Sequence, residues 1–383
     1  MKLDLIATSA FGIESVTSRE LLNLGYEDQK VENGRITFSA DESAIARCNI
    51  NLRTADRILI KMAEFKAVTF EDLFQGVKAV PWEDWLPENA EIYVTGRSVR
   101  SGLFSVPDCQ SITKKAIIER LKTKYNRTVF EEDGPRYKIE VALLKDIATI
   151  TLDTTGAGLN KRGYRRIAGE APLKETMACA LILLSFWKSG RILVDPLCGS
   201  GTIPIEAALI AKNQAPGMNR SFVAETWDNF DKKIWQNARN EALSAVKTDV
   251  PLTIFGSDLD PKAVDLARLH AEDAGVSDIL SLKQMNAMDF YPKDEYGFII
   301  TNPPYGERIG EIRAVEELYR NLGKLYSRCP TWSFYLITSH PDFEKLFGKR
   351  ADKRRKLYNG RLLCQYYQFL GPKPPKNKGE ICE

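Results

Sequence analysis

Apolar and polar positions change period along the chain, and the changes divide it. In the first 160 residues the segments are short. Leu3 to Ala7 reads as a strand, Gly12 to Leu24 as a helix, Gly34 to Phe38 as a strand, Ser43 to Leu52 as a helix and Arg57 to Phe65 as an alternating strand. This βαβ-type order predicts a small α+β domain over residues 1–64. A second module is expected over 65–160, with a strand ending at Arg97, a helix from Asp108 to Lys122 and strands from Tyr137 to Leu143 and Ile147 to Leu152. Gly156 and Gly158 then predict a hinge. From 161 to 371 the rhythm is that of an α/β sheet. Apolar runs at Ile192–Val194, Thr253–Gly256, Leu280–Gln284 and Tyr296–Thr301 alternate with helical stretches such as Ile203 to Ile210. Met177 to Trp187 is too short to cross a bilayer and reads as a buried helix. An insertion carrying Trp227, Phe230 and Trp235 is expected as an aromatic cover on the edge of that sheet. Asn359-Gly360, between Arg355–Tyr358 and Arg361–Phe369, predicts an antiparallel hairpin with a type I′ turn. The proline- and lysine-rich segment 372–383 is expected to be disordered.

Four of the strands end in chemistry. After Tyr296–Thr301 come Asn302-Pro303-Pro304-Tyr305. Proline lacks an N–H and has a fixed φ, so two in succession hold the local carbonyls rigid. The Asn302 side-chain carbonyl and the Pro303 backbone carbonyl are then placed to accept the two hydrogens of a planar NH2 group, and Tyr305 offers a ring for stacking. Such a site modifies nitrogen on a base or an amide. After Ile192–Val194 come Asp195-Pro196-Leu197-Cys198-Gly199-Ser200-Gly201-Thr202, which turn the chain into a helix. Strand, glycine turn and helix open a nucleotide-binding sheet, but the third glycine of a dinucleotide fingerprint is replaced by Pro204. Asp195 would repel a pyrophosphate and suit a cationic ligand. S-adenosylmethionine fits, with its positive amino and sulfonium groups and a carboxylate for the helix start. Asp258 ends the next strand and is placed to accept from both ribose hydroxyls; it lies 57 residues beyond Gly201, too far for a nicotinamide enzyme. After the third strand, Asn286-Ala287-Met288-Asp289 offers Asn286 or Asp289 for the adenine amine.

Composition narrows the classes. Seven cysteines without a Cys-x-x-Cys pair argue against a disulfide framework and a zinc site, and only two histidines are present. No metal is expected. Met1-Lys-Leu-Asp-Leu sets an acid where a signal peptide would continue apolar, so a reducing cytoplasm is the expected location. A net charge of +3 proves no nucleic-acid partner. Its arrangement is more telling: Lys114, Lys115, Arg120, Lys122, Lys124 and Arg127; then Arg162, Arg165 and Arg166; then Lys349 to Arg361, with Lys353, Arg354, Arg355 and Lys356. Three runs around one base-sized pocket predict a phosphate-tracking surface.

Residues 163–370 resemble class I S-adenosylmethionine-dependent methyltransferases of the amino-methylating group. Leu159–Arg165, Ala171–Thr176, Ala215–Arg220 and Tyr358–Arg361 are similar to the bacterial family that methylates guanine N2 in 23S ribosomal RNA. Members of that family often carry the label of N6-adenine-specific DNA methylase, because the Asn-Pro-Pro-Tyr element is shared. The resemblance implies a Rossmann-like sheet with a C-terminal antiparallel hairpin, behind a ferredoxin-like subdomain and a THUMP domain that presents RNA. RNA guanine-N2, DNA adenine-N6 and protein glutamine-amide methylation share these catalytic residues. An inactive RNA-binding or ribosome-assembly factor is the alternative from another class.

Overall fold

The computed structural model describes residues 2–165, 173–306 and 312–375. Arg166, Ala171, Pro172 and the end of the expected tail, 376–383, lie outside the described residues. The chain forms two compact units: Met1–Ser9 with Thr17–Leu159 and Gly217–Ser244, and Ala10–Val16 with Asn160–Pro216 and Ala245–Glu383.

The first unit is built on β1 (Leu3–Ser9), α1 (Glu14–Asn23), β2 (Gln29–Glu32), β3 (Arg35–Ala40), α2 (Ser43–Asn51), β4 (Ala55–Lys66), α3 (Phe70–Lys78), β5 (Glu91–Val99), α4 (Val106–Tyr125), β6 (Arg136–Leu144) and β7 (Ile147–Asp153). Its seven strands make one sheet in the order β2-β3-β1-β4-β7-β6-β5. β6 is buried at every second residue, the pattern of a sheet covered on one face. The expected boundary at residue 64 falls inside β4, which pairs with both β1 and β7, so the sheet runs straight through it. Gly156 and Gly158 are fastened rather than loose. The Arg57 guanidinium donates to the Gly156 carbonyl at 2.5 Å, Arg220 donates to the Gly158 carbonyl at 2.8 Å, and the neighbouring Thr154 and Thr155 are wholly buried.

The second unit contains α5 (Glu175–Leu184), β8 (Leu193–Asp195), α6 (Thr202–Ala211), β9 (Ile254–Asp258), α8 (Pro261–Asp273), β10 (Leu280–Gln284), β11 (Phe298–Thr301), α9 (Ile312–Arg328), β12 (Ser333–Thr338), α10 (Phe343–Phe347), β13 (Lys353–Asn359) and β14 (Leu362–Phe369); α7 (Lys233–Ser244) belongs to the first unit. Its sheet runs β10-β9-β8-β11-β12-β14-β13, parallel from β10 to β12 and antiparallel thereafter. β8 and β11 are buried at every residue, as strands covered on both faces must be. Leu193 and Ile254 face a core with Leu181, Ile205 and Ala267, while Val194 and Ile299 face another with Tyr319, Leu322 and Phe343.

Two expectations need correction. The aromatic insertion covers the first unit, not the edge of the second sheet. Trp227 is fully buried and stacks on Tyr137 of β6 with ring centroids 4.7 Å apart, while Phe222 stacks on Trp235 at 5.3 Å. The hairpin turn is also not type I′. Asn359 pairs with Leu362, so the central residues are Gly360 and Arg361. Of these only Gly360 has a positive φ, +63°, the pattern of a II′ turn.

Candidate active site

The turn after β8 is held by its own backbone and by β9. The Cys198 N–H donates to the Ser257 carbonyl at 2.8 Å and the Gly201 N–H to the Cys198 carbonyl at 2.8 Å. Gly199 and Gly201 have φ of +51° and +82°, a region that side chains disfavour. A Cβ on Gly201 would come within 2.9 Å of the Ala267 Cβ on α8, so this glycine sets how closely α6 and α8 approach. A Cβ on Gly199 would meet nothing within 4 Å, which leaves the backbone there open to a ligand. The Gly199 N–H donates to Asp258 Oδ2 at 2.9 Å, and the Asp260 N–H to Asp258 Oδ1 at 3.0 Å. The remaining lone pairs of that carboxylate are what a ribose diol would need.

A cleft of about 630 Å³ lies against this turn, lined by Asp195, Cys198, Gly199, Thr202, Asp258, Asn302 and Pro304 among others. Asp195 is 2 % exposed, and burial, with Asp258 nearby, pushes its carboxyl up to about 7. Burial likewise raises the Cys198 thiol. Two carboxylates, an open glycine backbone and a helix start fit a ligand with cationic and carboxylate ends, as S-adenosylmethionine has. Ser200, Asp260 and Lys262 also line the cleft and were missed in the sequence. For Asp260 and Lys262 the signal was the Asp-x-Asp-Pro run, in which the Asp260 side chain caps α8 by accepting the Lys262 N–H at 2.9 Å. Asn286, Ala287 and Asp289 do not line this cleft. Asn286 Oδ1 accepts the Met288 N–H at 2.9 Å, Ala287 is buried, and Asp289 faces a separate cavity of about 350 Å³.

The loop after β11 is braced by two tyrosines. The Tyr305 hydroxyl donates to Asn302 Oδ1 at 2.5 Å, and the Tyr319 hydroxyl donates to the Pro304 carbonyl at 2.8 Å. Pro303 is buried and Tyr305 packs at the edge of the core, so neither lines the cleft that Asn302 and Pro304 share. Burial raises the Tyr305 phenol well above its usual range.

The basic groups divide. Arg162 and Arg165 do not offer a phosphate-binding surface. Arg162 is 6 % exposed, with its guanidinium 3.6 Å from the buried Glu206 carboxylate. Arg165 bonds the Leu173 carbonyl, Thr202 Oγ1 and Glu175. Both fasten the segment ahead of α5 to α6, where Tyr164 also donates to Glu206 at 3.0 Å. On α4, Lys114 pairs with Glu132 at 2.8 Å, while Arg120 and Lys124 share Glu83 at 2.6 and 3.1 Å. Arg120 holds the Glu83 carboxyl down to about 2. Lys115 lies over the Phe74 ring. Lys353 and Arg354 are exposed on the edge strand β13, with Lys353 Nζ 5.9 Å from the ring of the exposed Phe186 and Arg354 3.3 Å from Glu344; Arg355 reaches Ser15 Oγ.

Known proteins resemble this chain over nearly its whole length. Residues 162–368 match the family described as RMKL-like, methyltransferase domain, residues 4–59 the RlmL ferredoxin-like domain and residues 67–153 the THUMP domain. The chain is 50% identical over 379 residues, 98% of each protein, to "Putative RNA methyltransferase YpsC" of Bacillus subtilis (strain 168). A crystal structure from Listeria monocytogenes, described as that of a predicted N6-adenine-specific DNA methylase, superposes with a TM-score of 0.93 at 51% identity over 97% of both chains. That described as "SMU.472, a putative methyltransferase complexed with SAH" superposes with a TM-score of 0.93 at 47% identity over 98% of this chain and 99% of that one. The chain therefore belongs to the RMKL-like methyltransferase family, with an RlmL ferredoxin-like domain and a THUMP domain ahead of its methyltransferase sheet.

Proposed function

We propose that this methyltransferase acts on RNA and transfers its methyl group to an exocyclic amine of a base, guanine N2 of 23S ribosomal RNA being the reading its motifs favour. S-adenosylmethionine is the methyl donor and supplies an electrophilic methyl on a positive sulfur. One observation carries the chemistry: Asn302 and Pro304 stand on the wall of the same cleft as Asp195, Gly199 and Asp258. The amine lone pair is delocalised into the base. The Asn302 side-chain carbonyl, on the cleft wall, would accept from one of its N–H groups and favour a tetrahedral nitrogen, while the buried Pro303 and the Tyr305 hydroxyl brace that loop. Asp195 would face the donor's ammonium and Asp258 its ribose. Holding nitrogen and methyl in line contributes about 7–11 kcal/mol in favourable cases. The THUMP match and the RNA named for the Bacillus relative support an RNA substrate. Adenine N6 is the second reading, favoured by the description of the Listeria structure.

The test is transfer of labelled methyl groups to unmodified ribosomal RNA, followed by nucleoside analysis. N2-methylguanosine is expected. N6-methyladenosine would replace the base assignment, and label in protein but in no nucleic acid would overturn the substrate class.

A further inference from the structure

Asparagine before glycine in a hairpin is ordinarily explained by its tolerance of positive φ. That explanation does not hold at Asn359. It ends β13 in register with Leu362 and is absent from the residues with positive φ; Gly360 alone makes the turn's unusual conformation. Its side chain points to another use, because Asn359 Nδ2 lies 3.5 Å from the Tyr305 hydroxyl. That hydroxyl in turn donates to Asn302 Oδ1 at 2.5 Å. A chain of two hydrogen bonds thus runs from the C-terminal hairpin to the cleft wall. The Tyr305 oxygen accepts from Asn359 and donates to Asn302, so its single proton is committed in one direction. An amide turns about its last side-chain bond at little cost, and a phenol fixed from behind restricts that turn.

We propose that Asn359 is a positioning residue for the amine-acceptor loop, acting through the Tyr305 hydroxyl on the orientation of the Asn302 amide. The proposal rests on the reading of Asn302 as the acceptor. It makes the hairpin part of the methyl-transfer apparatus without contact with donor or base.

The experiment is a double-mutant cycle on the full chain with Asn359→Ala, Asn359→Asp and Tyr305→Phe, reading kcat and KM for RNA methylation, SAH affinity by calorimetry and the thermal midpoint. Either Asn359 variant should lower kcat about three- to tenfold, the range of one hydrogen bond, with SAH affinity unchanged. In the Tyr305→Phe background the same changes should cost nothing further. Asp is nearly isosteric with Asn but lacks the donor, so a role confined to the turn would leave Asn359→Asp at wild-type kcat and overturn the proposal. So would losses that multiply in the double variants, or a fall in kcat that only tracks the thermal midpoint. Wild-type protein that methylates no RNA would overturn the proposed function, and this proposal with it.

Discussion

At the scale of single residues, the proposed function divides the labour of the cleft between Asp195 and Asn302. A buried carboxyl raised to about 7 is mostly neutral at pH 6 and mostly ionised at pH 8. Its folded value lies above its unfolded one, so the stability it contributes is full below about pH 4 and is lost as pH rises through 7, a change on the order of 4 kcal/mol. A cationic ligand works the other way, because it favours the ionised form. SAH should therefore bind about tenfold more weakly at pH 6 than at pH 8, and calorimetry showing equal affinity at both would remove Asp195 as the partner of its ammonium. Asn302→Ala should lower kcat by about 10² while SAH affinity changes less than twofold; unchanged turnover in a single-turnover assay would end its acceptor role. That these two residues line one cleft was legible because each stands at a strand end with its own motif. Arg162 and Arg165 were not. A run of cations carries no mark of its partners, and Glu206, which buries Arg162, lies 44 positions further along the chain.

Among elements, those buried on two faces were the easiest to read. β8 and β11 open on apolar residues and are buried at every position, the mark of a parallel strand covered on both faces. The hairpin was legible as a hairpin but not in its turn, because pairing register, with Asn359 opposite Leu362, outranks the dipeptide. The insertion was legible as aromatic and packed, but no local pattern tells which sheet it covers. Its location makes Trp227 a core residue of the first unit, 0 % exposed, with its indole N–H 3.3 Å from the Arg136 carbonyl. Trp227→Ala should destabilise that unit by about 3–5 kcal/mol. In denaturant melts the loss should appear in the transition of the first unit, while SAH affinity of the folded protein is kept. A variant as stable as wild type would show that the stacking on Tyr137 contributes nothing.

For the whole molecule, the two units do not correspond to two stretches of sequence. The first borrows 217–244 from the middle of the methyltransferase region, and the core of the second includes Ile13 and Val16 from the N-terminus. A fragment of residues 161–371, cut where strand rhythm suggests, would carry Trp227, Phe230 and Trp235 without the sheet they cover. Such a fragment should bind a hydrophobic dye strongly and precipitate at concentrations where the full chain is clear. Replacing 217–244 by a short glycine linker should reduce both effects, and a monodisperse fragment with wild-type SAH affinity would refute the expectation. Borrowing also imposes a schedule on biosynthesis. The last strand of the first sheet ends at Asp153, yet its aromatic lid is finished only at Ser244. At ribosomal speeds of about 5–20 residues per second, that leaves the nascent sheet bare for roughly 5–20 s, an interval in which a chaperone holding the Tyr137 face would find its substrate.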